Sequence, residues 1–277
     1  MKERVVDLSI QVRLAHDILV HFLRAETRKV GFRKLVIGVS GGLDSALVAY
    51  LAVNALGRDN VLLYFLPYRT SHPQSAIDAE GVAHFLSVPL HILDISPAID
   101  SYFAQEPEAD KLRRGNKMAR ERMSVLFDQS MAERALVVGA SNKSELLLGY
   151  ATWYGDMAAS LLPIGDLYKT QIRQMARELQ LPAQLIDKPP SADLWSGQTD
   201  EDELGFSYEL ADQILFLYAD ERYREEEIIH LGYSAEIVGK IIKRCQRYQF
   251  KRRMPPICKL SGRTIGWDFR YLRDWGR

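Results

Sequence analysis

The residues with the clearest chemical purpose are Ser40-Gly41-Gly42-Leu43-Asp44-Ser45, which follow the apolar run Leu35–Val39 and lead into the Ala/Leu-rich stretch 46–52. A β-branched run, two glycines and an Ala/Leu segment read as strand, tight loop and helix start. Such a loop suits an anion. The glycines let backbone N–H groups approach closely, the helix N-terminus adds unpaired donors, and Ser40 and Ser45 add hydroxyls. Asp44 breaks the pattern, because a carboxylate repels phosphate unless a cation lies between them. The combination implies Mg²⁺ bridging Asp44 to a nucleotide. The Lys-Ser/Thr ending of the common NTPase loop is missing, as is any GxGxxG. Alone, GG-x-D would be an ordinary strand-to-helix turn; the two flanking serines tip the reading towards phosphate.

Elements that alternate along the chain must position this loop. Leu8, Val12, Ala15, Leu19 and Phe22 recur at helical spacing in an N-terminal helix over residues 5–29. After the loop-bearing helix come a turn at residues 57–60, a strand over 61–66, a helix near 75–86, a strand over 90–95, a helix near 115–133 and a strand over 135–139. Strands alternating with helices give a doubly wound parallel α/β sheet, with ligands at the carboxyl ends of its strands. There the Ser40 loop, residues 67–74 and residues 140–145 are expected to converge. Beyond Leu179 the pattern becomes a Pro/Ser/Asp-rich connection over 186–205 and then helices, with no internal repeat. The acidic run Asp200-Glu201-Asp202-Glu203 reads as a solvated helix start. The basic stretch 240–253 reads as a solvated helix face, or as a flap that folds over a phosphorylated ligand.

At 277 residues and 47% hydrophobic content the chain can bury a full core as one domain of α/β size. Lys plus Arg and Asp plus Glu both number 36, so nothing global argues for a nucleic-acid or membrane partner. No stretch reads as a signal segment or membrane span, and a cytoplasmic location is expected. Two cysteines, Cys245 and Cys258, are too few for a disulfide scaffold or a zinc site. The six histidines include no i, i+4 pair and no HxH, which disfavours a histidine metal site.

Ser-Gly-Gly-x-Asp-Ser after a buried strand resembles the pyrophosphate loop of the ATP pyrophosphatase superfamily, whose members split ATP between the α and β phosphates to adenylate a substrate. Further on, Ser141-Asn142-Lys143-Ser144-Glu145, Gly149-Tyr150, Tyr154-Gly155-Asp156 and Pro163-Ile164-Gly165-Asp166-Leu167-Tyr168-Lys169-Thr170-Gln171 resemble the NAD synthetase family. So do Pro190-Ser191-Ala192-Asp193-Leu194, Gly197-Gln198-Thr199-Asp200-Glu201 and Glu203-Leu204-Gly205. The tail, with Phe250-Lys251-Arg252-Arg253-Met254-Pro255-Pro256 and Asp274-Trp275-Gly276, resembles a bacterial ammonia-dependent branch. The matches run in order from about residue 5 to the C-terminus.

This resemblance implies an adenine nucleotide alpha hydrolase-like fold: a core over 35–180, a helical C-terminal extension over 186–277, one synthetase domain over 1–277 and no glutaminase domain. It implies ATP-dependent amidation of deamido-NAD with ammonia through an NAD-adenylate, in a homodimer, with a separate glutaminase subunit left open as ammonia source. By analogy Asp44 and Glu145 hold Mg²⁺, while Gly38, Val39, Ser40, Gly41, Gly42, Leu43, Asp44 and Ser45 cradle ATP with Lys169 and Ser191; Asp44 and Lys169 are the catalytic pair. Arg120, Trp153, Asp156, Ser160, Phe250 and Lys251 line the deamido-NAD side. Four positions depart from the family pattern: Ala140 stands where many members have Thr, Trp153 where some have Lys, Ser160 where some have Asp, and Phe250 where many have His. These thin the polar contacts to the dinucleotide, and Trp153 offers stacking instead. The competing expectation is another amide- or thiol-forming ATP pyrophosphatase, such as a tRNA-thiolating enzyme with 240–253 as the nucleic-acid surface, which would call for reactive or metal-binding cysteines that the chain lacks. A nucleotide-binding sensor without catalysis is the third, and Asp44, Glu145 and Lys169 argue against it.

Overall fold

A computed structural model describes residues 6–191, 198–266, 268 and 269. The motif residues 192–197 and 274–276 fall outside the described part. Helix α1 (Val12–Lys29) precedes β1 (Lys34–Gly38), α2 (Leu43–Leu56), β2 (Val61–Phe65), α3 (Pro73–Leu86) and β3 (Leu90–Ile92). Helices α4 (Ser96–Phe103) and α5 (Lys111–Glu133) lead to β4 (Ala135–Val138), α6 (Lys143–Leu148) and α7 (Lys169–Glu178). Then follow α8 (Ala183–Ile186), α9 (Asp200–Leu204), α10 (Tyr208–Leu215), a π-helical turn (Phe216–Asp220), α11 (Glu225–His230) and α12 (Ala235–Arg247).

The four strands are all parallel, in the order β3-β2-β1-β4. Their apolar runs are continuous because both faces are covered. Leu35, Ile37, Leu63 and Val138 point into a core shared with α1, α2 and α7, whereas Val36, Tyr64 and Ala135 point to the opposite face, with Ile99, Phe103 and Met118 of α4 and α5. The chain leaves β1 in one direction to reach β2 and later returns to its other side as β4. The carboxyl end of β1 is therefore the topological switch point, where open α/β sheets bind ligands. A third core, built from α10, α11 and α12, packs on Leu148 and Tyr168.

Two boundaries and one helix differ from the sequence reading. Helix α1 begins at Val12 rather than at residue 5, because the backbone before it bonds elsewhere: Gln171 donates to Leu8 O at 3.0 Å and Gln174 exchanges two hydrogen bonds with Ile10. Strand β3 ends at Ile92, although Leu93 N–H and Ile95 N–H still donate to Phe65 O and Pro67 O. Helix α4, whose eight residues are too few for a clear period, was not anticipated. No helix among the described residues is long and apolar enough to cross a membrane.

Candidate active site

The phosphate loop leaves β1 and closes on itself. Ser45 Oγ donates to Gly42 O at 3.0 Å and accepts Ser40 N–H at 3.2 Å, while Ser40 Oγ accepts Gly42 N–H at 3.2 Å. Gly42 caps α2 without a side-chain hydrogen bond, so the first N–H groups of that helix stay available to an anion. Gly41 has φ +75°, and a Cβ there would lie 2.5 Å from Ser75 O. The loop thus rests against α3, and only glycine fits. From the connection after α8, Lys188 Nζ donates to Gly41 O at 3.0 Å and to the buried Asp78 carboxylate at 2.6 Å. Of residues 67–74, which were expected to converge here, Gln74 reaches this corner by donating to Asp78 at 2.9 Å.

Two further helix starts meet Asp44. Asn142, fully buried, caps α6 by accepting Glu145 N–H at 2.9 Å, and its Nδ2 donates to Asp44 Oδ2 at 3.0 Å. Lys169, the first residue of α7 and 7% exposed, donates to Asp44 Oδ2 at 2.6 Å and to Glu145 Oε1 at 3.3 Å. Burial pulls the Lys169 pKa down, but Asp44 and Glu145 outweigh it and hold the ammonium charged, above its ordinary range. Burial pushes the Glu145 carboxyl up to about 8 against the pull of Lys169, with Asp44 and Asp200 adding to the rise.

Asp200 corrects the sequence reading of the acidic run. It opens α9 as expected, but its side chain is 4% exposed and faces inward, accepting Tyr208 O–H at 3.2 Å. Burial raises its pKa. Glu203 accepts Tyr150 O–H at 2.9 Å. Only the tertiary fold turns one residue of a charge run towards Lys169. Sequence reasoning missed Asn142, Lys188 and Asp200 as site residues. The one local signal was the N-x-x-E capping spacing of Asn142 and Glu145.

Could this set hold a divalent ion? Among the described residues no three His, Cys, Asp or Glu side chains converge as a ready-made metal cage. Mg²⁺ bound to a nucleotide needs only one or two carboxylates, the phosphates supplying the rest. Asp44 Oδ1 is buried without a hydrogen-bond partner, which leaves a lone pair for such an ion, and Glu145 lies across Lys169 from it. The donor set fits.

The second half gathers on residues 149–156. Arg120 of α5 donates through Nε to Trp153 O at 3.2 Å and borders a cleft of about 210 Å³ with Tyr102, Asn116 and Lys117. The Trp153 indole stacks on Tyr154 at 4.5 Å and meets Phe250 edge-on at 5.3 Å. Asp156 accepts Thr152 N–H at 2.6 Å, and its own carbonyl accepts Ser141 Oγ–H at 3.4 Å, a link back to the phosphate half. Lys251 Nζ donates to Gly149 O at 2.7 Å and Ala151 O at 2.6 Å, and Arg252 donates to Leu146 O and Leu147 O. The end of the basic stretch is therefore not a freely solvated face: it ties this loop down. Ser160 is exposed, and its N–H donates to Val137 O at 2.9 Å. Ser191 is exposed and follows Pro190, whose carbonyl accepts Asp200 N–H.

A parallel sheet with a glycine-rich anion loop at its switch point, flanked by Asp44, Glu145 and Lys169, defines a nucleotide-binding α/β protein of the pyrophosphate-loop type. Residues 15–255 match the model of the family described as NAD synthase, and the chain belongs to that family. It is 53% identical over 270 residues to an NH(3)-dependent NAD(+) synthetase of Trichlorobacter lovleyi, covering 98% of this chain and 99% of that one. Its fold is similar to the NH3-dependent NAD synthetase of Campylobacter jejuni, with TM-score 0.78, 32% identity and 90% and 100% of the two chains covered. It is also similar to an NMN synthetase from Francisella tularensis, with TM-score 0.80, 30% identity and 90% and 99% covered.

Proposed function

We infer that this protein is an ammonia-dependent NAD synthetase, a ligase that amidates deamido-NAD at the expense of ATP. The observation that carries the reading is Lys169, held between Asp44 and Glu145 at the mouth of the phosphate loop, in a chain of this family. A nicotinate carboxylate is a poor electrophile, because direct attack would have to expel oxide. Its oxygen therefore attacks the α-phosphorus of ATP, pyrophosphate leaves, and an acyl adenylate forms. Ammonia then attacks the acyl carbon and loses a proton as AMP departs, leaving the amide.

Charge develops on phosphate and acyl oxygens, so the protein supplies donors and cations rather than a nucleophile. Gly38–Ser45 cradle the phosphates, Lys169 neutralises them, and Ser191 adds a hydroxyl. Asp44 and Glu145 would hold Mg²⁺, which would screen phosphate charge. Arg120, Trp153, Asp156, Ser160, Phe250 and Lys251 hold the dinucleotide, with Arg120 and the aromatic group its most direct contacts. The tRNA-thiolation alternative is not favoured, since the relatives are NAD synthetases along almost the whole chain.

Residues 1–277 work as a synthetase domain in the cytoplasm and use free ammonia, which a separate glutaminase subunit supplies in the alternative. The chain pairs as a homodimer. The apolar face expected to pair, Val12, Leu19 and Phe22 of α1 with Ala119 and Leu126 of α5, is taken up by the chain's own core, whereas Phe127 and Met131 on α5 and Leu14 and Ile18 on α1 are exposed apolar side chains that support pairing. Light scattering that shows only monomer at working concentration removes the dimer.

The deciding assay is pyrophosphate release with ATP, ammonium and deamido-NAD, set against nicotinate mononucleotide and tRNA. Turnover is expected with deamido-NAD and ammonium and hardly at all with glutamine. Preference for the mononucleotide would reassign the substrate, and equal rates with glutamine would refute free ammonia as donor.

A further inference from the structure

Glu145 and Lys169 stand at the starts of α6 and α7, and twenty residues (149–168) separate the two helices. The backbone link Lys143 N–H to Leu167 O, at 2.9 Å, joins them at the start of α6. The side-chain links between the two first turns are held in place by a carboxylate from the C-terminal helices. Asp212 on α10 is fully buried, and its two carboxylate oxygens accept Ser144 Oγ–H at 2.5 Å and Thr170 N–H at 2.8 Å. Ser144 Oγ in turn accepts Lys169 N–H at 2.9 Å. Ser144 precedes Glu145, and Thr170 follows Lys169. One carboxylate thus satisfies first-turn donors of α7 directly and through Ser144, and complements the positive ends of both helices.

Asp220, in the π-helical turn that continues α10, repeats the arrangement one step out. It accepts Lys143 Nζ at 2.8 and 3.0 Å and Tyr168 O–H at 2.8 Å, gripping the residues that adjoin the same two helix starts. π-turns inside helices recur at functional sites.

We propose that Asp212 is a positioning residue of the synthetase reaction: through Ser144 it sets the place of Lys169 relative to Glu145, with Asp220 as the outer brace. The C-terminal helical part is then the support of the catalytic pair rather than an appendage. The proposal rests on the reading that Lys169 and Glu145 act on ATP. Its physical basis is geometric: Lys169 Nζ lies 2.6 Å from Asp44 and 3.3 Å from Glu145, and misplacing a catalytic group by about 1 Å costs on the order of a hundredfold in rate.

Asp212→Asn keeps the volume but turns one acceptor into a donor, which faces either Ser144 Oγ or Thr170 N–H. Ser144→Ala removes the relay without touching α10. Both variants should lose about tenfold or more in kcat, with KM for deamido-NAD within about twofold, since that substrate's residues lie on other elements. The double variant should be no slower than the slower single one, because the two groups act as a unit. Hydrogen exchange of residues 168–172 should quicken in both. A melting temperature that falls while kcat per folded molecule stays within about twofold would reduce Asp212 to a packing group and overturn the proposal, as would multiplicative losses in the double variant. If Asp212→Asn does not fold, Ser144→Ala and Asp220→Asn decide by the same criteria. If the wild type does not turn over deamido-NAD, it is the functional reading that fails, and unchanged exchange at 168–172 would then overturn the brace as well.

Discussion

The phosphate-loop half and the aromatic half of the candidate site are built on different plans. Around Asp44 the functional groups sit at the starts of three helices, are mostly buried, and each makes two or more hydrogen bonds to other functional groups. Around Trp153 they come from α5, from the loop after α6 and from the turn after α12; the rings pack on one another, and the cations are fixed by bonds to backbone carbonyls, as in Arg120 to Trp153 O and Lys251 to Gly149 O and Ala151 O. Buried charges tolerate no approximate partner, since an orphaned one costs several kcal/mol, about 3 or more. Stacked rings tolerate many. Of the departures expected from the family pattern, Trp153 and Phe250 are two rings of that aromatic group.

That contrast breaks first at Asp44. Asp44→Asn should cost at least about a thousandfold in kcat, the upper range for removing one electrostatic contact at a phosphoryl centre, with the fold retained. Pyrophosphate release near the wild-type rate, at saturating ATP and Mg²⁺, would show that the buried half is structural.

The next effect is on stability. Burial pushes the Asp212 carboxyl up to about 6, against an ordinary 3.8. In that window the folded state binds the extra proton, so this group's contribution favours folding at low pH and is lost as pH rises from about 4 to about 6, by roughly 3 kcal/mol. Urea titrations of wild type and Asp212→Asn at pH 4, 5, 6 and 7 should show the difference between them shift by that amount in the variant's favour as pH rises. A difference that is flat with pH would remove the shift.

Lys188→Met should leave Asp78 buried with only Gln74 as partner, destabilise by about 2 kcal/mol, and raise KM for ATP more than KM for deamido-NAD, because the lost amine also held Gly41 O. Equal changes in both KM values would mean that Lys188 serves folding alone. The effect confined to one substrate is expected at Trp153. Its indole already has one face on Tyr154, so a ligand can take only the other. Trp153→Ala should weaken deamido-NAD by about 1–3 kcal/mol, the scale of one ring stack, with ATP barely affected. A lower melting temperature with both substrates disturbed would identify Trp153 as a packing residue and make the two halves of the site more alike.

Part of this molecule was written in local sequence. Apolar β-branched runs separated by helical periods fix a parallel sheet covered on both faces, because period and turn chemistry act over a few residues. Ser-Gly-Gly-x-Asp-Ser declared its loop because positive φ at Gly41 and a helix start at Leu43 are local requirements. Other features depended on residues far apart in the chain. The unwound stretch before Val12 is held by Gln171 and Gln174, more than 160 positions away. Asp200 looked like one solvated charge among four until α9 turned it inward, and Lys188 looked like any surface lysine until its segment crossed the back of the phosphate loop. Asp212 and Asp220 carry no motif at all. A buried carboxylate gains its partners from whichever helix ends the fold brings to it, and that pairing is a property of the assembled cores rather than of any short stretch of chain.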